Sequence, residues 1–536
     1  MKTKYFLIFV LSIVLLNGCE KAFLDTKQPG VFTVDDYFKT DAQAFQAILG
    51  CYDYIQNVWE NVEYTPQQTY TMMSDEVYAG GSLRGDALRL EEVNEFRHSS
   101  NNSLMSDLFS QSYNGIYRSN TILERVTPES DIKKLVVAEA KVMRAFWYFH
   151  LVFNWGDVPL VTKVLTASEY AQPRTPASQV WAQIEKDLSE AIPDLPLKSA
   201  QSKRDKARWS KGAAQSLLGK AYLFQKKYAE AATEFQKVID SNEYDLIADF
   251  SRILRKDQEL GKESVFEVMQ PMTTYSATNV PPTINNVAGE RSRWHRFMGP
   301  KGGGWFVGNA TTLPIGNSGF GFWNAKHSDY QLFIDNGDVV RRKGTIMNEA
   351  EIIAAGGKMR NPTFKTPALP NGTLAWSSDP VIRLKYTNWN DETQGPVVNN
   401  NIGTNVRLIR YADVLLMAAE AYNRKSSPDD AKSLQYINKV RTRVTLPSLT
   451  VTGDALFSAI KTERRLELMF EGHRYHDLIR WGDAAEALKD CGKQIPKGDG
   501  TYYLVPDAGF KERNWLWPIP EVEMNVNPQM TQNPGF

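Results

Sequence analysis

Residues 135–160 read LVVAEAKVMRAFWYFHLVFNWGDVPL, and this stretch carries the clearest fold signal in the chain. Its apolar side chains return every three or four residues, which is the period of a helix that buries one face. They are Leu135, Ala138, Val142, Ala145, Phe149 and Val152. Gly156 follows where helices commonly end, because glycine adopts a left-handed backbone without steric cost. The stretch predicts a long helix, and the same period in residues 45–55 predicts another, so we expect a mainly α fold.

Residues 210–240 have the spacing of two antiparallel helices that approach each other closely. Gly219 and Ala231 fall where the helix pairs of tetratricopeptide repeats place small residues, and Phe235 falls where they place an aromatic one. Residues 406–444 indicate a second pair of the same kind. Because one such pair cannot bury its own apolar face, we expect several tetratricopeptide-like pairs to stack into an α-α superhelix.

The helical period is lost between about residues 270 and 401, where Gly, Pro, Asn, Thr and aromatic residues dominate. Loops of this length are uncommon in compact domains and tend to be functional. We therefore predict one domain over residues 19–536. It would consist of N-terminal helices and helix pairs (19–269), a loop-rich insertion with short strands and the ligand site (270–401), and C-terminal helix pairs with a tail (402–536).

The N-terminus has the pattern of an export signal. Lys2 and Lys4 precede a largely apolar run, residues 5–16. A membrane span needs about 20 residues, and this run is shorter. Cys19 follows small and apolar residues in a pattern that resembles the lipobox of bacterial lipoproteins. We therefore expect residues 1–18 to be removed and Cys19 to carry a lipid anchor.

The composition argues against two classes of protein. Lys+Arg and Asp+Glu each number 62, so no net charge attracts nucleic acid or an anionic surface. Apart from Cys19, the chain contains only Cys51 and Cys491, and two such distant cysteines do not make a disulfide scaffold. Affinity for a ligand must therefore come from local contacts.

Several strings along the chain resemble those of the SusD/RagB family of nutrient-binding lipoproteins, and they occur in the family's order. They are residues 116–122 (IYRSNTI), 138–149 (AEAKVMRAFWYF), 154–160 (NWGDVPL), 410–420 (RYADVLLMAAE), 463–472 (ERRLELMFEG), 477–481 (DLIRW) and 532–536 (QNPGF). The segment that starts at Cys19 also looks like the family's mature N-terminus. The final residue is Phe536 where the family more often has Tyr.

This resemblance implies a stack of tetratricopeptide-like helix pairs packed on a more variable half that holds the ligand. It also implies a partner, a SusC-like TonB-dependent transporter, over which the lipoprotein sits as a lid. The location implied is the outer membrane, with the lipid-anchored protein facing the cell exterior. The family resemblance implies neither a catalytic site nor a cofactor.

Three chemical alternatives are weaker than structural interpretations of the same residues. The carboxylates Glu463, Glu467 and Glu471 could suggest a glycosidase pair, but their arginine neighbours favour ion pairs on a helix. His473 and His476 lie three residues apart without a metal-binding motif, so packing is the better interpretation. Residues 302–304 are three glycines without the Gly-Lys-Ser/Thr of a phosphate loop, and they predict a turn.

Aromatic residues in the insertion are the positive signal for a ligand. A sugar ring offers an apolar C–H face and a rim of hydroxyls, so its site needs flat rings beside polar groups. The insertion supplies such rings at Tyr275, Trp294, Trp305, Phe306, Phe320, Phe322, Trp323 and Tyr330, and polar groups at Asn279, Arg291, Arg293, Asn309 and Asn324. About half of these rings are expected to fill the core instead.

The predicted ligand-binding set combines rings of the insertion with residues of the first long loop, to which the family resemblance points. The set is Asp75, Arg84, Phe96, Tyr275, Trp294, Trp305, Phe306 and Trp323. The hypothesis is a cell-surface lipoprotein that captures a glycan and delivers it to the transporter. A RagB-like peptide binder, an extracellular hydrolase and a protein-assembly scaffold stay open as alternatives.

Overall fold

Eighteen helices and eight short strands make up the part of the chain that this computed structural model describes, namely residues 37–60, 65–270, 294–392 and 404–536. The helices before the insertion are α1 (Asp41–Glu60), α2 (Pro66–Met72), α3 (Leu88–Asn94), α4 (Ser103–Arg125), α5 (Asp131–Trp155), α6 (Ala177–Ala191), α7 (Lys211–Phe224) and α8 (Tyr228–Asp240). The later ones are α9 (Trp294–Met298), α10 (His327–Asp335), α11 (Val339–Thr345), α12 (Glu349–Ala354), α13 (Tyr411–Arg424), α14 (Asp430–Arg443), α15 (Gly453–Leu468), α16 (Arg474–Trp481), α17 (Ala484–Ala487) and α18 (Glu521–Val526). The mainly α prediction is confirmed.

The strands form four separate two-stranded antiparallel sheets. They are β1 (Val77–Gly80) with β3 (Phe322–Ala325), β2 (Ser264–Val268) with β6 (Val406–Arg410), β4 (Ile346–Asn348) with β5 (Val381–Arg383), and β7 (Gln494–Pro496) with β8 (Tyr502–Leu504). The sheet of β1 and β3 joins the N-terminal helical part to the insertion, the sheet of β2 and β6 flanks the insertion, and β4 and β5 pair within it.

The predicted helix at residues 135–160 is α5, and local chemistry sets both of its ends. The Ser130 hydroxyl accepts a hydrogen bond from the backbone N–H of Lys133, which caps the first turn. Gly156 ends the helix with a φ of +71°, a backbone conformation that suits glycine. Gly482 ends α16 in the left-handed helical region, with a φ of +81°.

Small residues let neighbouring helices approach, as the sequence predicts. The helix pair at residues 210–240 is α7 and α8, and a Cβ added at Gly219 would lie 2.6 Å from the Phe235 ring. A tighter approach occurs between α4 and α5, where a Cβ at Gly115 would lie 2.1 Å from Nε1 of Trp147. The second predicted pair is α13 and α14, although its first residues form strand β6.

The insertion is more ordered than its composition predicts. Helices α10, α11 and α12 and strands β3 to β5 all lie between residues 294 and 392. A small apolar cluster of its own, which includes Phe306, Ile315 and Ile382, supports these elements beside the large helical core. These elements are short, so the periodicity that identifies longer helices is weak in them.

The described helices include none that is long and apolar enough to cross a membrane. Cys51 and Cys491 are both buried and unpaired. The predicted lipidation site Cys19 and the signal segment lie outside the described residues.

Candidate functional site

An open cleft of about 710 Å³ lies between the loop that follows β1 and the segments that flank β3. One wall comes from residues 82–103, and the other from Phe297, Lys301, Phe320 and Phe322. Pockets that hold small molecules usually measure about 300–1,000 Å³, so the cleft has room for a short oligomeric ligand.

The pairing of β1 with β3 brings the two walls together. Gly80 lies opposite Phe322, and the backbone N–H of Gly81 donates to the carbonyl of Gly321 across 2.7 Å. Gly80 has a φ of +83°, and a Cβ there would lie 2.1 Å from the Gly321 oxygen. Glycine is therefore required where the first loop leaves the sheet and turns over the rings of the second wall.

Three phenylalanine rings form the apolar wall of the cleft. The Phe297 centroid lies 4.9 Å from that of Phe320 and 5.8 Å from that of Phe322. The guanidinium carbon of Arg296 lies 4.5 Å from the Phe320 centroid, and Nε of Arg296 donates to the carbonyl of Ser318 across 2.9 Å. These contacts hold Phe320 in place as a half-buried ring at the cleft surface.

Polar groups on both sides of the cleft are fixed by hydrogen bonds. The Lys301 amine donates to the Ser82 hydroxyl across 2.6 Å, and a carboxylate oxygen of Asp86 accepts from the Ser82 backbone N–H across 2.8 Å. The side chain of Asn102 donates to the Glu92 carboxylate across 3.0 Å. Burial lowers the pKa of the Lys301 amine.

The charges around the cleft balance. Asp86 and Glu92 are matched by Arg89 and Lys301, and the exposed side chain of Asn101 adds a neutral donor and acceptor. A cleft with rings on one wall and balanced polar groups on the other suits an uncharged ligand that has an apolar face and several hydroxyls.

Three of the predicted ligand-binding rings are buried, and the prediction is wrong for them. Phe96 and Trp323 are 0% exposed and Phe306 is 2% exposed. Phe96 packs edge-on against Phe510 at 5.4 Å. Such rings contribute to the core and cannot stack on a ligand at the surface.

Trp323 is buried, whereas its neighbour Phe322 lines the cleft and is 6% exposed. Phe322 pairs with Gly80 at the edge of the cleft, and the backbone then turns at Trp323, whose φ is +52°, so that the indole lies in the core. The Trp323 indole N–H then donates to the carbonyl of Gln68 across 2.9 Å.

Asp75 is held in ion pairs inside the protein. Its carboxylate accepts from Nε of Arg474 across 2.9 Å and lies 3.2 Å from Nη2 of Arg465. Burial alone would raise the pKa of Asp75, but the charges of Arg465 and Arg474 outweigh it and lower this pKa. The carboxylate joins the turn after α2 to helices α15 and α16 and is not presented to the cleft.

Glu76, next to Asp75, is a buried carboxyl whose raised pKa should make the stability of the protein fall as the pH rises. Burial, with the nearby charges of Asp329 and Asp75, raises its pKa from 4.5 to about 8. The folded protein therefore keeps a proton that the unfolded chain loses at lower pH. The bound proton therefore stabilises the fold fully below the unfolded pKa of 4.5. As the pH rises from there, the free energy of unfolding falls by about 1.4 kcal/mol for each pH unit, and the stabilisation is lost once the pH has passed the folded pKa of about 8.

We expect Glu76→Gln to remove this proton linkage, because glutamine can still accept the N–H of Phe470 but cannot ionise. The variant should be more stable than the parent at pH 9, and the difference should shrink towards pH 5. Urea unfolding at both pH values measures it. An unchanged dependence on pH would show that Glu76 is not the group that retains the proton.

The remaining predicted residues lie elsewhere. Arg84 is 23% exposed, pairs with Glu95 and Glu91, and is not among the residues that line the cleft. Trp305 is half-buried, and its indole N–H donates to the Leu374 carbonyl across 3.1 Å. Tyr275 and the side chain of Trp294 lie outside the described part of the chain.

The carboxylates on α15 and just after it are buried in ion pairs, but their partners come from other segments and not from the arginines of their own helix, as the sequence interpretation expected. Nε of Arg341 lies 2.8 Å from Glu467, and Arg341 also pairs with Glu463. Glu471 pairs with Lys385 at 2.7 Å and with Arg410 at 2.7 Å. None of these carboxylates lines the cleft.

His476 is likewise a packing residue. Its ring lies 4.1 Å from the Tyr70 centroid and 4.3 Å from that of Phe153. Burial lowers the pKa of His476 well below its usual value, so the ring is neutral near pH 7. In the described ranges, no group of three His, Cys, Asp or Glu side chains is arranged to hold a metal ion.

Sequence reasoning missed much of the cleft. Phe297, Arg89 and Asn101 were not singled out, and Phe320 and Phe322 were recognised only as members of a long aromatic series. Strand alternation could not have identified Phe320 and Phe322, because Gly321 and Trp323 both have a positive φ, +74° and +52°, and alternation requires extended backbone.

The architecture is that of a helical-repeat protein, and comparisons with known proteins agree with it. Residues 273–536 match a family model described as the SusD family, and residues 22–223 match one described as starch-binding associating with outer membrane. The chain belongs to the SusD/RagB family of carbohydrate-binding proteins that associate with the outer membrane.

Three similar proteins illustrate the family. SusD-like protein P2 of Formosa agariphila is 27% identical over 99% of this chain and 100% of its own length. A laminarin-binding SusD-like protein superposes with a TM-score of 0.77 at 29% identity, covering 93% of this chain and 100% of that one. Surface glycan-binding protein A from Bacteroides thetaiotaomicron, in complex with laminarihexaose, shares the fold with a TM-score of 0.72 at 23% identity and coverages of 92% and 100%.

Proposed function

We propose that this protein captures a neutral glycan in the cleft at the cell surface and delivers it to a SusC-like TonB-dependent transporter. A lipid on Cys19 would hold it at the outer membrane beside that partner. Confining binder and transporter together raises their effective concentration, so a site of modest affinity can still feed import.

The observation that carries this proposal is the composition of the cleft. The half-buried Phe320 ring and its neighbour Phe297 can stack on the C–H face of a sugar. Asn101, Arg89 and Asp86 on the other wall can bond to its hydroxyls. The balanced charge favours a neutral chain over an acidic one.

Laminarin is the first polysaccharide to test, because the relative that shares 29% identity over its whole length is named for binding it. Native gels that contain laminarin, amylopectin, xylan or mannan would be compared with gels without polysaccharide. We expect at least one of the four to retard the protein. Retardation by none of them, together with binding to a peptide pool in calorimetry, would replace the glycan proposal with the RagB-like alternative.

The proposal is capture without bond cleavage. The carboxylates that could suggest a glycosidase, such as Glu463 and Glu467, are paired with Arg341 in the core, whereas a glycosidase needs two carboxyl groups on either side of an accessible bond. We expect the purified protein to release no reducing ends from the polysaccharide that it binds. Release that persists in a highly purified sample would make it an enzyme.

Phe320→Ala should weaken binding of a hexasaccharide by about 1 kcal/mol, because a stacking ring contributes about that much. Phe457→Ala is a matched control, since its half-buried ring also lies under an arginine, Arg424, at 4.7 Å. Calorimetry with laminarihexaose, or with the hexasaccharide of whichever polysaccharide binds, measures the difference. Equal affinities of the two variants would place the glycan elsewhere.

A further inference from the structure

A second group of exposed aromatic residues surrounds the β7–β8 hairpin. All three residues of β8 are exposed: Tyr502 by 53%, Tyr503 by 39% and Leu504 by 63%. Successive side chains of a strand point to opposite sides, so both faces of this strand are open to solvent. Large apolar residues that cluster at a surface usually mark a place of interaction.

Rings from two other parts of the chain extend this surface. Trp376 lies 6.2 Å from Tyr503, and the ring of Trp305 stacks on that of Phe364 with centroids 5.6 Å apart and planes 10° apart. Phe364 is 52% exposed, so its other face is open to solvent. We call Trp305, Phe364, Trp376, Tyr502 and Tyr503 the hairpin patch.

Backbone hydrogen bonds hold the parts of the patch in register. The N–H of Leu374 donates to Gly498 across 2.9 Å, and the N–H of Ser377 donates to Pro496 across 2.7 Å. The Trp305 indole N–H bonds to the Leu374 carbonyl, so both ring pairs are attached to the same extended segment. A Cβ at Gly498 would lie 2.2 Å from that carbonyl, which makes the close approach depend on glycine. The rings therefore form a fixed surface.

The charge beside the patch is already neutralised. The guanidinium carbon of Arg84 lies 5.2 Å from the Tyr503 centroid, and Arg84 also pairs with Glu95 and Glu91. The hairpin turn itself carries one exposed lysine and one exposed aspartate, Lys497 and Asp499, whose charges balance. The patch therefore offers open ring faces and tyrosine hydroxyls with no excess of either charge. A neutral hydroxylated chain fits this chemistry, as it does in the cleft.

The first long loop connects the patch with the cleft. Ser82 and Asp86 of this loop line the cleft, and Arg84 between them lies against the hairpin patch. The same loop therefore borders both surfaces, so a polymer that crosses it can contact both. A short oligosaccharide can occupy the cleft alone.

We propose that the hairpin patch is a second contact surface for the same neutral polysaccharide that enters the cleft. This proposal rests on the proposed function. The two surfaces would hold two segments of one chain, so binding of the second segment is intramolecular and raises the affinity for polymer over that for short oligosaccharide.

The test compares binding of a long polysaccharide with binding of a short oligosaccharide. In the double variant Phe364→Ala/Tyr502→Ala, the affinity for laminarin should fall about 10-fold or more, while the affinity for laminarihexaose should stay unchanged. Phe320→Ala should weaken both. If another of the four polysaccharides binds and laminarin does not, that polysaccharide and its own hexasaccharide replace laminarin and laminarihexaose in this comparison. Tyr170→Ala, which removes a ring that is 67% exposed outside the patch, is the control.

The outcomes separate the two proposals. Wild-type affinity of the double variant for polymer, with hexasaccharide binding intact, would overturn the second surface and leave the cleft as the only glycan site proposed. A variant that binds polymer normally but no longer copurifies with the transporter would assign the patch to a protein contact. Absence of glycan binding by the wild-type protein would overturn the proposed function and this proposal with it. An unchanged thermal midpoint shows that the variants are folded.

Discussion

Arg341→Ala is expected to lower the free energy of unfolding by about 3–5 kcal/mol, because it breaks a buried ion-pair network. Arg341 is 0% exposed and donates to Asp338 across 2.7 Å and to Glu467 across 2.8 Å. Its guanidinium also donates to Glu463. Removing Arg341 takes a positive charge away from three buried carboxylates. The free energy cost of keeping these carboxylates out of water is then no longer offset by their attraction to the guanidinium.

Urea unfolding followed by circular dichroism measures this loss. Arg424→Ala is the matched control, since it breaks an arginine–aspartate pair with Asp454 in which the aspartate side chain is 91% exposed. Exposed pairs contribute little, so the control should unfold almost as the parent does. Similar midpoints for the two variants would mean that Arg341 does not stabilise the junction between the insertion and α15.

Trp323→Ala is expected to cost about 3–5 kcal/mol of stability, because it opens a cavity where a large ring was packed. The side chain is 0% exposed, and its indole N–H bonds to the Gln68 carbonyl. A buried ring cannot touch a glycan directly. The folded fraction of the variant should therefore bind laminarihexaose, or the matching hexasaccharide, with the parent's affinity.

Trp305→Ala provides the contrast within the same insertion. Its ring is half-buried and stacks on the exposed Phe364 ring, so its removal should cost less stability than that of Trp323. It should instead reduce the affinity for polymer. Thermal unfolding of both variants compares their stabilities, and calorimetry compares their affinities for polymer. If Trp323→Ala weakened hexasaccharide binding while remaining as stable as the parent, the burial of Trp323 in the core would be contradicted.

The helical frame could be predicted because its signals are local. The period of residues 135–152 and the position of Gly156 fix α5, and the close contact of Gly219 with Phe235 is the one that helix-pair spacing predicts. The sequence predicted that Glu463 and Glu467 form ion pairs, but not the partner, because Arg341 comes from the distant α11.

The ligand surface could not be predicted residue by residue. In the insertion, Phe306 and Trp305 are sequence neighbours, yet the first is buried in a small apolar cluster and the second is half-exposed. Composition shows that rings are plentiful there but not which way each one points. The cleft also takes Arg89 from α3 and Asn101 from the loop after it, about two hundred residues away in sequence, and the pairing of Gly80 with Phe322 brings this segment to the insertion.

The sequence by itself determined the helical class, the paired helices and membership of the SusD/RagB family, because those depend on periods and motifs within short stretches. Only the tertiary structure decided which aromatic rings face solvent and which charges are buried together. The physical reason is that exposure arises from contacts between distant segments. One strand pairing between β1 and β3 sends Phe322 to the cleft and Trp323 to the core.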